Sequence, residues 1–84
     1  MEIISSYNCC INIWDNQEDN IFDVYVVFPT YVGCQPMMNG TLELLEKAYE
    51  ETDGMESCEE VREYIAVVLE ENNIDYLDVS CRER

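Results

Sequence analysis

The sequence contains no histidine and only one lysine, and three arginines complete its basic residues. Histidine is the commonest general base near neutral pH, and a cysteine nucleophile needs a nearby base or cation. Binding of phosphate or of an anionic membrane likewise requires a basic surface. We therefore expect no enzymatic activity and no direct contact with nucleic acid or membrane.

The chain also lacks the patterns of membrane, secreted and metal-binding proteins. No apolar run reaches the roughly 18–20 residues that cross a bilayer, and the first seven residues show no secretory signal. The five cysteines, which form no CxxC pair, are Cys9, Cys10, Cys34, Cys58 and Cys81. A calcium loop starting at Asp15 would need glycine and glutamate where Asn20 and Val26 stand. These absences predict a cytoplasmic protein with reduced thiols, no dedicated metal site and no cofactor.

The most distinctive feature that is present is acid. The 84 residues include 19 Asp and Glu against 4 Lys and Arg, which gives a formal net charge of −15. Disordered chains combine high net charge with few aromatic and β-branched residues, whereas 48% of this chain is hydrophobic and it holds six Tyr, two Phe and one Trp. Length and composition together predict one folded domain over residues 1–84.

Alternating apolar positions predict two strands near the N-terminus. Residues 3–13 alternate between a mainly apolar and a mainly polar face, and residues 22–28 do the same. The turn formers of residues 15–20 would join these strands in a hairpin. Pro29 should end the second strand, and residues 30–40 are interrupted by glycine and proline as a loop would be.

Two amphipathic helices follow. Thr41 can cap a helix that runs to about Thr52, and Gly54 supplies its stop. Ser57 and Glu60 match a capping box at the start of the second helix. The predicted buried stripes are Leu42, Leu45, Ala48 and Tyr49 on the first helix, and Val61, Tyr64, Ile65, Val68 and Leu69 on the second.

A last short strand completes the predicted fold. Asn72 and Asn73 can end the second helix, residues 76–81 alternate again, and residues 82–84 read as a tail. The predicted order is strand, strand, helix, helix, strand (ββααβ). This is an α+β domain whose small antiparallel or mixed sheet, a hairpin plus a C-terminal strand, carries two helices packed on one face.

The acids are concentrated in the helical half. Between Glu43 and Asp78 there are 13 acids against Lys47 and Arg62, so this stretch holds 11 of the 15 net negative charges. On each predicted helix three glutamates share the face opposite the apolar stripe: Glu43, Glu46 and Glu50 on the first, Glu59, Glu63 and Glu70 on the second. Residues three or four apart on a helix are about 4.5–6 Å apart along its axis, a scale comparable to the ~3.4 Å charge spacing of one DNA strand.

A solvated surface that only keeps a small protein soluble is the simpler interpretation of this charge. Ordinary helix surfaces intersperse both signs and gain stability from Glu–Lys pairs at i,i+4, with Glu first, yet only Glu43 and Lys47 fit that pattern here. Seven Ile, seven Asn and six Tyr suggest an AT-rich gene in which lysine should be common. The single lysine therefore indicates selection against positive charge. A halophile would also exclude lysine, but seldom favours Ile and Asn in this way.

The predicted hairpin adds acids and apolar anchors to this picture. Its acids are Asp15, Glu18, Asp19 and Asp23. Charges at an interface mainly set the association rate, so affinity also needs apolar contacts. The aromatic or apolar residues that the alternating pattern does not assign to the core are Tyr25, Val27, Trp14 and Tyr31, and they are the candidates for these contacts.

In length, charge, acidic helices and acidic hairpin, the chain resembles a class of small acidic phage and mobile-element proteins that block host defence by imitating nucleic acid. These are the anti-CRISPR proteins, anti-restriction proteins and uracil-DNA glycosylase inhibitors. The resemblance implies a non-enzymatic inhibitor without cofactor in the host cytoplasm. Its partner would be the basic nucleic-acid-binding surface of a CRISPR effector or other defence nuclease. The predicted partner-binding residues are Asp15, Glu18, Asp19, Asp23, Tyr25, Glu43, Glu46, Glu50, Glu59, Glu63 and Glu70.

The alternative is an acidic adaptor or regulatory module that binds a basic protein or peptide unrelated to nucleic acid. Tyr25 and Val27 would then dominate binding, and the acidic helices would only make the protein soluble. An enzyme is a distant third hypothesis.

Overall fold

A computed structural model describes residues 2–6, 10–15, 20–29 and 40–84, with side chains from residue 10 onward. The elements are β1 (Glu2–Ser6), β2 (Cys10–Trp14), β3 (Phe22–Val27), α1 (Thr41–Glu51), α2 (Cys58–Glu71) and β4 (Asp78–Glu83). The strands form one antiparallel sheet in the order β1-β2-β3-β4. This confirms an α+β fold with an antiparallel sheet, a hairpin, a C-terminal strand and two helices.

The predicted first strand is in fact two strands. β1 and β2 pair with Ile3 opposite Ile13 and Ser5 opposite Ile11, and residues 7–9 between them lie outside the described part. This register pairs odd-numbered positions with odd-numbered positions, so the alternation of period two continues unchanged through the chain reversal. Alternation alone therefore could not reveal the reversal, and the predicted order ββααβ was one strand short.

The helix caps agree with the prediction in part. Gly40, in the left-handed region at φ 77°, precedes α1, and Thr41 is the buried first residue of that helix rather than its cap. Ser57 caps α2 as predicted, because its hydroxyl accepts the N–H of Glu60 at 3.2 Å. The Glu60 carboxylate in turn accepts the N–H of Glu56 at 3.0 Å, one residue earlier than the usual capping box.

One hydrophobic core lies between the sheet and the two helices. The strands and the residue after β3 contribute Ile11, Ile13, Phe22, Val24, Val26, Phe28 and Val79, and the helices contribute Leu45, Ala48, Tyr49, Val61, Ile65 and Leu69. Asn12 and Tyr25 alternate with these strand residues and lie on the opposite side of the sheet. Both helices therefore pack on the same face of the sheet.

The last strand is longer than predicted. β4 runs to Glu83, with Arg82 opposite Asp23 and Glu83 opposite Phe22, so most of the predicted tail is paired with β3. The N–H of Arg84 continues the pairing by donating to a carbonyl of the residue before β3 at 2.8 Å. Charged residues are tolerated here because β4 is an edge strand.

A buried polar cluster joins the start of β3 to the end of α1. The side-chain amide of Asn20 donates to the Tyr49 carbonyl at 3.2 Å and to the Thr52 hydroxyl at 2.9 Å. Its amide oxygen accepts the N–H of Phe22 at 3.0 Å, and the Tyr49 hydroxyl donates to the Phe22 carbonyl at 2.6 Å. Burial, together with the nearby negative charge of Asp15, raises the pKa of Tyr49 to about 12. Asn20, predicted as part of a turn, thus fixes the hairpin against α1.

Candidate functional site

The six helix glutamates predicted to bind a partner are all exposed. Those of α1 (Glu43, Glu46 and Glu50, the α1 stripe) and those of α2 (Glu59, Glu63 and Glu70, the α2 stripe) lie on the sides of their helices opposite the core residues. Within the described residues, neither Lys47 nor Arg62 lies within ion-pair distance of a glutamate. Both stripes therefore present carboxylates that no neighbouring cation neutralises.

A shallow groove of about 230 Å³ lies where the two helices meet, between the stripes. It is lined by Leu44, Lys47, Ala48, Glu51, Tyr64, Val68, Glu71 and Asn72. No glutamate of either stripe lines it, so the stripes flank the groove on the outer sides of the helix pair. Glu51 and Glu71 add negative charge in the groove, and Lys47 is the cation among them. Sequence reasoning missed these two acids because only the packing of α1 on α2 brings them together.

Two tyrosines hold glutamates of this surface in place. The Tyr64 hydroxyl of α2 donates to the Glu51 carboxylate of α1, and the Tyr76 hydroxyl donates to the Glu70 carboxylate at 2.8 Å. Each hydrogen bond to a carboxylate raises the pKa of the tyrosine that donates it. A carboxylate held in this way loses less conformational entropy when a partner binds it.

The predicted acidic hairpin is described only in part. Glu18 and Asp19 lie outside the described residues, and Asp15 is half-buried. The backbone carbonyl of Asp15 accepts a hydrogen bond from the guanidinium of Arg84. The structure therefore places Asp15 beside a cation at the end of the sheet.

Asp23 corrects the prediction of an exposed carboxylate on the hairpin. It is 9% exposed, and its two oxygens accept from the Asn12 amide at 2.5 Å and from the Arg82 Nε at 3.0 Å. The guanidinium of Arg82 neutralises the carboxylate inside the fold. Sequence reasoning missed this ion pair because it placed Arg82 in a tail, whereas β3 and β4 bring the two residues directly opposite each other.

Tyr25 lies at the centre of the sheet face that the helices leave open, and it is 41% exposed. A hydrogen bond with the Cys10 thiol raises the pKa of Tyr25. Trp14 and Val27, the other described apolar candidates, are half-buried, and Tyr31 lies outside the described residues. An open cleft of about 450 Å³ beside the tyrosine is lined by Asn12, Asp23, Tyr25, Ser80, Cys81 and Arg82.

The three described cysteines, Cys10, Cys58 and Cys81, are half-buried, and none of them forms a disulfide within the described residues. Cys58 and Cys81 pack against the core, as predicted for small apolar residues, whereas Cys10 is on the open sheet face. Burial, and then a hydrogen bond with Cys58, raises the pKa of Cys81 to about 12. Cys9 and Cys34 lie outside the described residues.

In residues 2–6, 10–15, 20–29 and 40–84, no group of three or more Asp, Glu or Cys side chains is arranged to hold a metal ion. No helix there has the length and apolar character needed to cross a membrane. Comparison of the chain with protein-family models, with curated proteins and with solved structures finds no significant match.

Proposed function

We propose that this protein is a non-enzymatic inhibitor that occupies the basic nucleic-acid-binding surface of a host defence nuclease, a CRISPR effector in the first instance. The carboxylates of the α1 and α2 stripes would take the places of phosphates on lysines and arginines of the nuclease. The inhibitor would act in the host cytoplasm, with no cofactor and without binding nucleic acid itself.

The observation that supports the proposal most is the uncompensated charge of the helix pair. Residues 41–71 contain 11 acids, all exposed, against Lys47 and Arg62, a net charge of −9. Like charges spaced i,i+4, such as Glu46 and Glu50, destabilise a helix by about 0.2–0.5 kcal/mol per pair. A cationic groove would relieve this repulsion, so binding would stabilise the inhibitor as well as block the nuclease.

The arrangement of the two stripes supports a duplex as the molecule imitated. Packed helices lie about 8–10 Å apart, axis to axis, and the stripes on their outer sides are farther apart than the axes. The major groove of B-DNA is about 12 Å wide between its two phosphate rows. Two separate rows of carboxylates would suit a channel whose cations bind both strands of a duplex.

Competition with DNA at varied salt tests the proposal. The probe is a guide-loaded CRISPR effector nuclease with a fluorescent target duplex, and the readouts are DNA cleavage and displacement of the duplex. We expect the protein to displace DNA, and its affinity to fall about tenfold or more between ~50 and ~200 mM salt. Affinity that stays flat over this range would count decisively against mimicry of nucleic acid.

Charge reversal of four stripe residues tests the surface itself. The variant carries Glu46→Lys, Glu50→Lys, Glu59→Lys and Glu63→Lys. Each of these side chains is exposed and outside the core, so the fold should survive, and far-UV circular dichroism checks this. We expect inhibition to be lost. Inhibition by a folded variant at wild-type level would show that another surface binds the nuclease.

The adaptor hypothesis keeps one observation in its favour, the exposed Tyr25 beside the cleft on the open sheet face. Tyr25→Ala should abolish partner binding if this face dominates, and binding should then depend weakly on salt. Val67→Ala is the matched control, because Val67 is an apolar residue of α2 that is 49% exposed. Under the inhibitor proposal, Tyr25 is one apolar contact beside the charged stripes, so Tyr25→Ala should weaken displacement of DNA only in part and leave its strong dependence on salt, and Val67→Ala should leave it unchanged.

A further inference from the structure

Two cysteines that are far apart in the sequence meet where α2 packs on β4. Cys58 is the first residue of α2, and Cys81 lies in β4 directly opposite Val24 of β3. Residues directly opposite each other in a sheet share a face, and Val24 is a core residue, so the Cys81 side chain lies on the face that the helices cover. Both cysteines pack against the core, and their thiols are hydrogen-bonded to each other.

This contact between two thiols meets the first condition for a disulfide. Cysteines whose side chains point apart cannot be joined without moving the backbone, whereas Cys58 and Cys81 already touch through their sulfurs. Cys10, the third described cysteine, lies on the opposite face of the sheet. Cys58 and Cys81 are both half-buried, so a small molecule can still reach the pair.

We propose that Cys58 and Cys81 form a reversible disulfide when hydrogen peroxide oxidises the protein, and that this bond fastens the start of α2 to β4. The Cys58 sulfur attacks a peroxide oxygen and the O–O bond breaks, so that Cys58 becomes a sulfenic acid and the leaving hydroxide takes the Cys58 proton as water. The Cys81 sulfur then attacks the sulfenic sulfur. The S–S bond forms, the S–O bond breaks, and the second hydroxide leaves with the Cys81 proton, again as water.

The order of these two steps follows from the surroundings of Cys81. The thiolate, not the thiol, is the nucleophilic form of cysteine. Burial, the hydrogen bond with Cys58 and the negative charges of Asp23 and Glu83 raise the pKa of Cys81 to about 12, so this thiol stays protonated near neutral pH. The peroxide therefore reacts first with Cys58, and Cys81 resolves the sulfenic acid beside it. In a reducing cytoplasm the bond would be transient, as cytosolic disulfides usually are.

The disulfide would stabilise the fold against unfolding. It closes a loop of about 24 residues, from Cys58 to Cys81, which contains all of α2. A link across a loop of this size restricts the unfolded chain much more than the folded one. We therefore expect the midpoint of urea denaturation to be about 1 M higher, or more, in the oxidised protein than in the reduced protein.

Peptide mapping after oxidation tests the proposal. The folded chain is treated with one equivalent of hydrogen peroxide near neutral pH, its remaining thiols are alkylated in urea, and linked peptides are identified by mass spectrometry. We expect a link between Cys58 and Cys81 within one chain, which dithiothreitol removes together with the rise in the urea midpoint. Other pairings among the five cysteines, a link no more frequent than in a chain oxidised in urea, or an unchanged midpoint would overturn the proposal.

Three serine variants, whose folding is checked by circular dichroism, separate the roles of the thiols. Cys10→Ser is the matched control and should form the link as the wild type does. In Cys81→Ser, dimedone should trap a sulfenic acid at Cys58, whereas in Cys58→Ser the Cys81 thiol should stay unmodified. Sulfenic acid at Cys81 but not at Cys58, or loss of the link in Cys10→Ser, would contradict the proposal. Should a variant unfold, the mapping of the wild type still decides, and no result depends on the proposed inhibition because no nuclease is present.

Discussion

Asn20→Ala tests the buried polar cluster that fixes the hairpin to α1. The substitution removes the acceptor of the Phe22 N–H and a donor to the Thr52 hydroxyl. The Tyr49 carbonyl keeps another donor, the Thr52 hydroxyl at 2.6 Å. The Phe22 N–H is therefore the group left buried without its partner.

The expected loss of stability follows from the hydrogen-bond partners that the substitution removes. A buried donor left without an acceptor costs about 1–3 kcal/mol, and the lost side-chain contacts raise the expected destabilisation to about 2–4 kcal/mol. At roughly 0.05–0.15 kcal/mol per residue, a chain of 84 residues has a free energy of unfolding of about 4–13 kcal/mol. The variant should therefore lose a large fraction of its stability.

Urea denaturation followed by circular dichroism measures this loss. The matched control is Asn72→Ala, because the Asn72 amide also donates to a carbonyl, that of Val68 at 2.8 Å, but at an exposed helix end. The control should lose less than about 1 kcal/mol. If both variants unfold at the same urea concentration, Asn20 does not fix the hairpin and the described cluster is not a source of stability.

Three further predictions follow from single groups. Ser57→Ala should lower the free energy of unfolding by about 1 kcal/mol in urea denaturation, because the Glu60 N–H loses its acceptor. An unchanged denaturation midpoint would contradict the role of Ser57 as the N-cap of α2. The pKa of Tyr49 is raised from its ordinary value of 10 to about 12, so its contribution is complete below pH 10 and is lost as the pH rises through 12. At neutral pH, the free energy of unfolding of Tyr49→Phe should be about 1–3 kcal/mol lower than that of the wild type. Between pH 10 and 12 the variant should lose less stability than the wild type does. Equal losses in the two proteins over this pH range would refute the prediction. Burial raises the pKa of Cys81 to about 12, so iodoacetamide should label this thiol slowly near neutral pH until urea unfolds the chain. Labelling is measured by mass spectrometry. Fast labelling of Cys81 in the native protein would contradict its burial.

The parts of the fold that the sequence predicted are those that local periodicity determines. The buried stripes of both helices and the Ser57 cap of α2 depend on residues within a few positions of one another. The division of the first strand escaped detection because the register of Ile3 with Ile13 preserves the alternation. Arg82 and Glu83 looked like a tail because their strand conformation depends on pairing with β3, some 60 residues earlier in the chain.

In the candidate site, too, the features that depend on local periodicity could be predicted and those that depend on long-range packing could not. The exposure of both glutamate stripes follows from helical periodicity alone and agrees with the structure. Neutralisation of Asp23 by Arg82, and the position of Glu51 and Glu71 in the groove between the helices, depend on which elements pack together. Composition gives the amount of charge, but only tertiary structure shows which carboxylates already have partners.

Two variants, in each of which four carboxylates are replaced by neutral amides, test the central claim most directly. They show whether the position of the charges in the stripes, rather than the net charge of the protein, determines binding to a nuclease. One carries Glu→Gln at Glu46, Glu50, Glu59 and Glu63. The other removes four exposed charges elsewhere, with Asp53→Asn, Glu56→Gln, Asp78→Asn and Glu83→Gln. Both have the same net charge, and displacement of a target duplex from a guide-loaded CRISPR effector is measured for each. The stripe variant should lose affinity at least about tenfold more than the control, and equal losses in both would contradict the account.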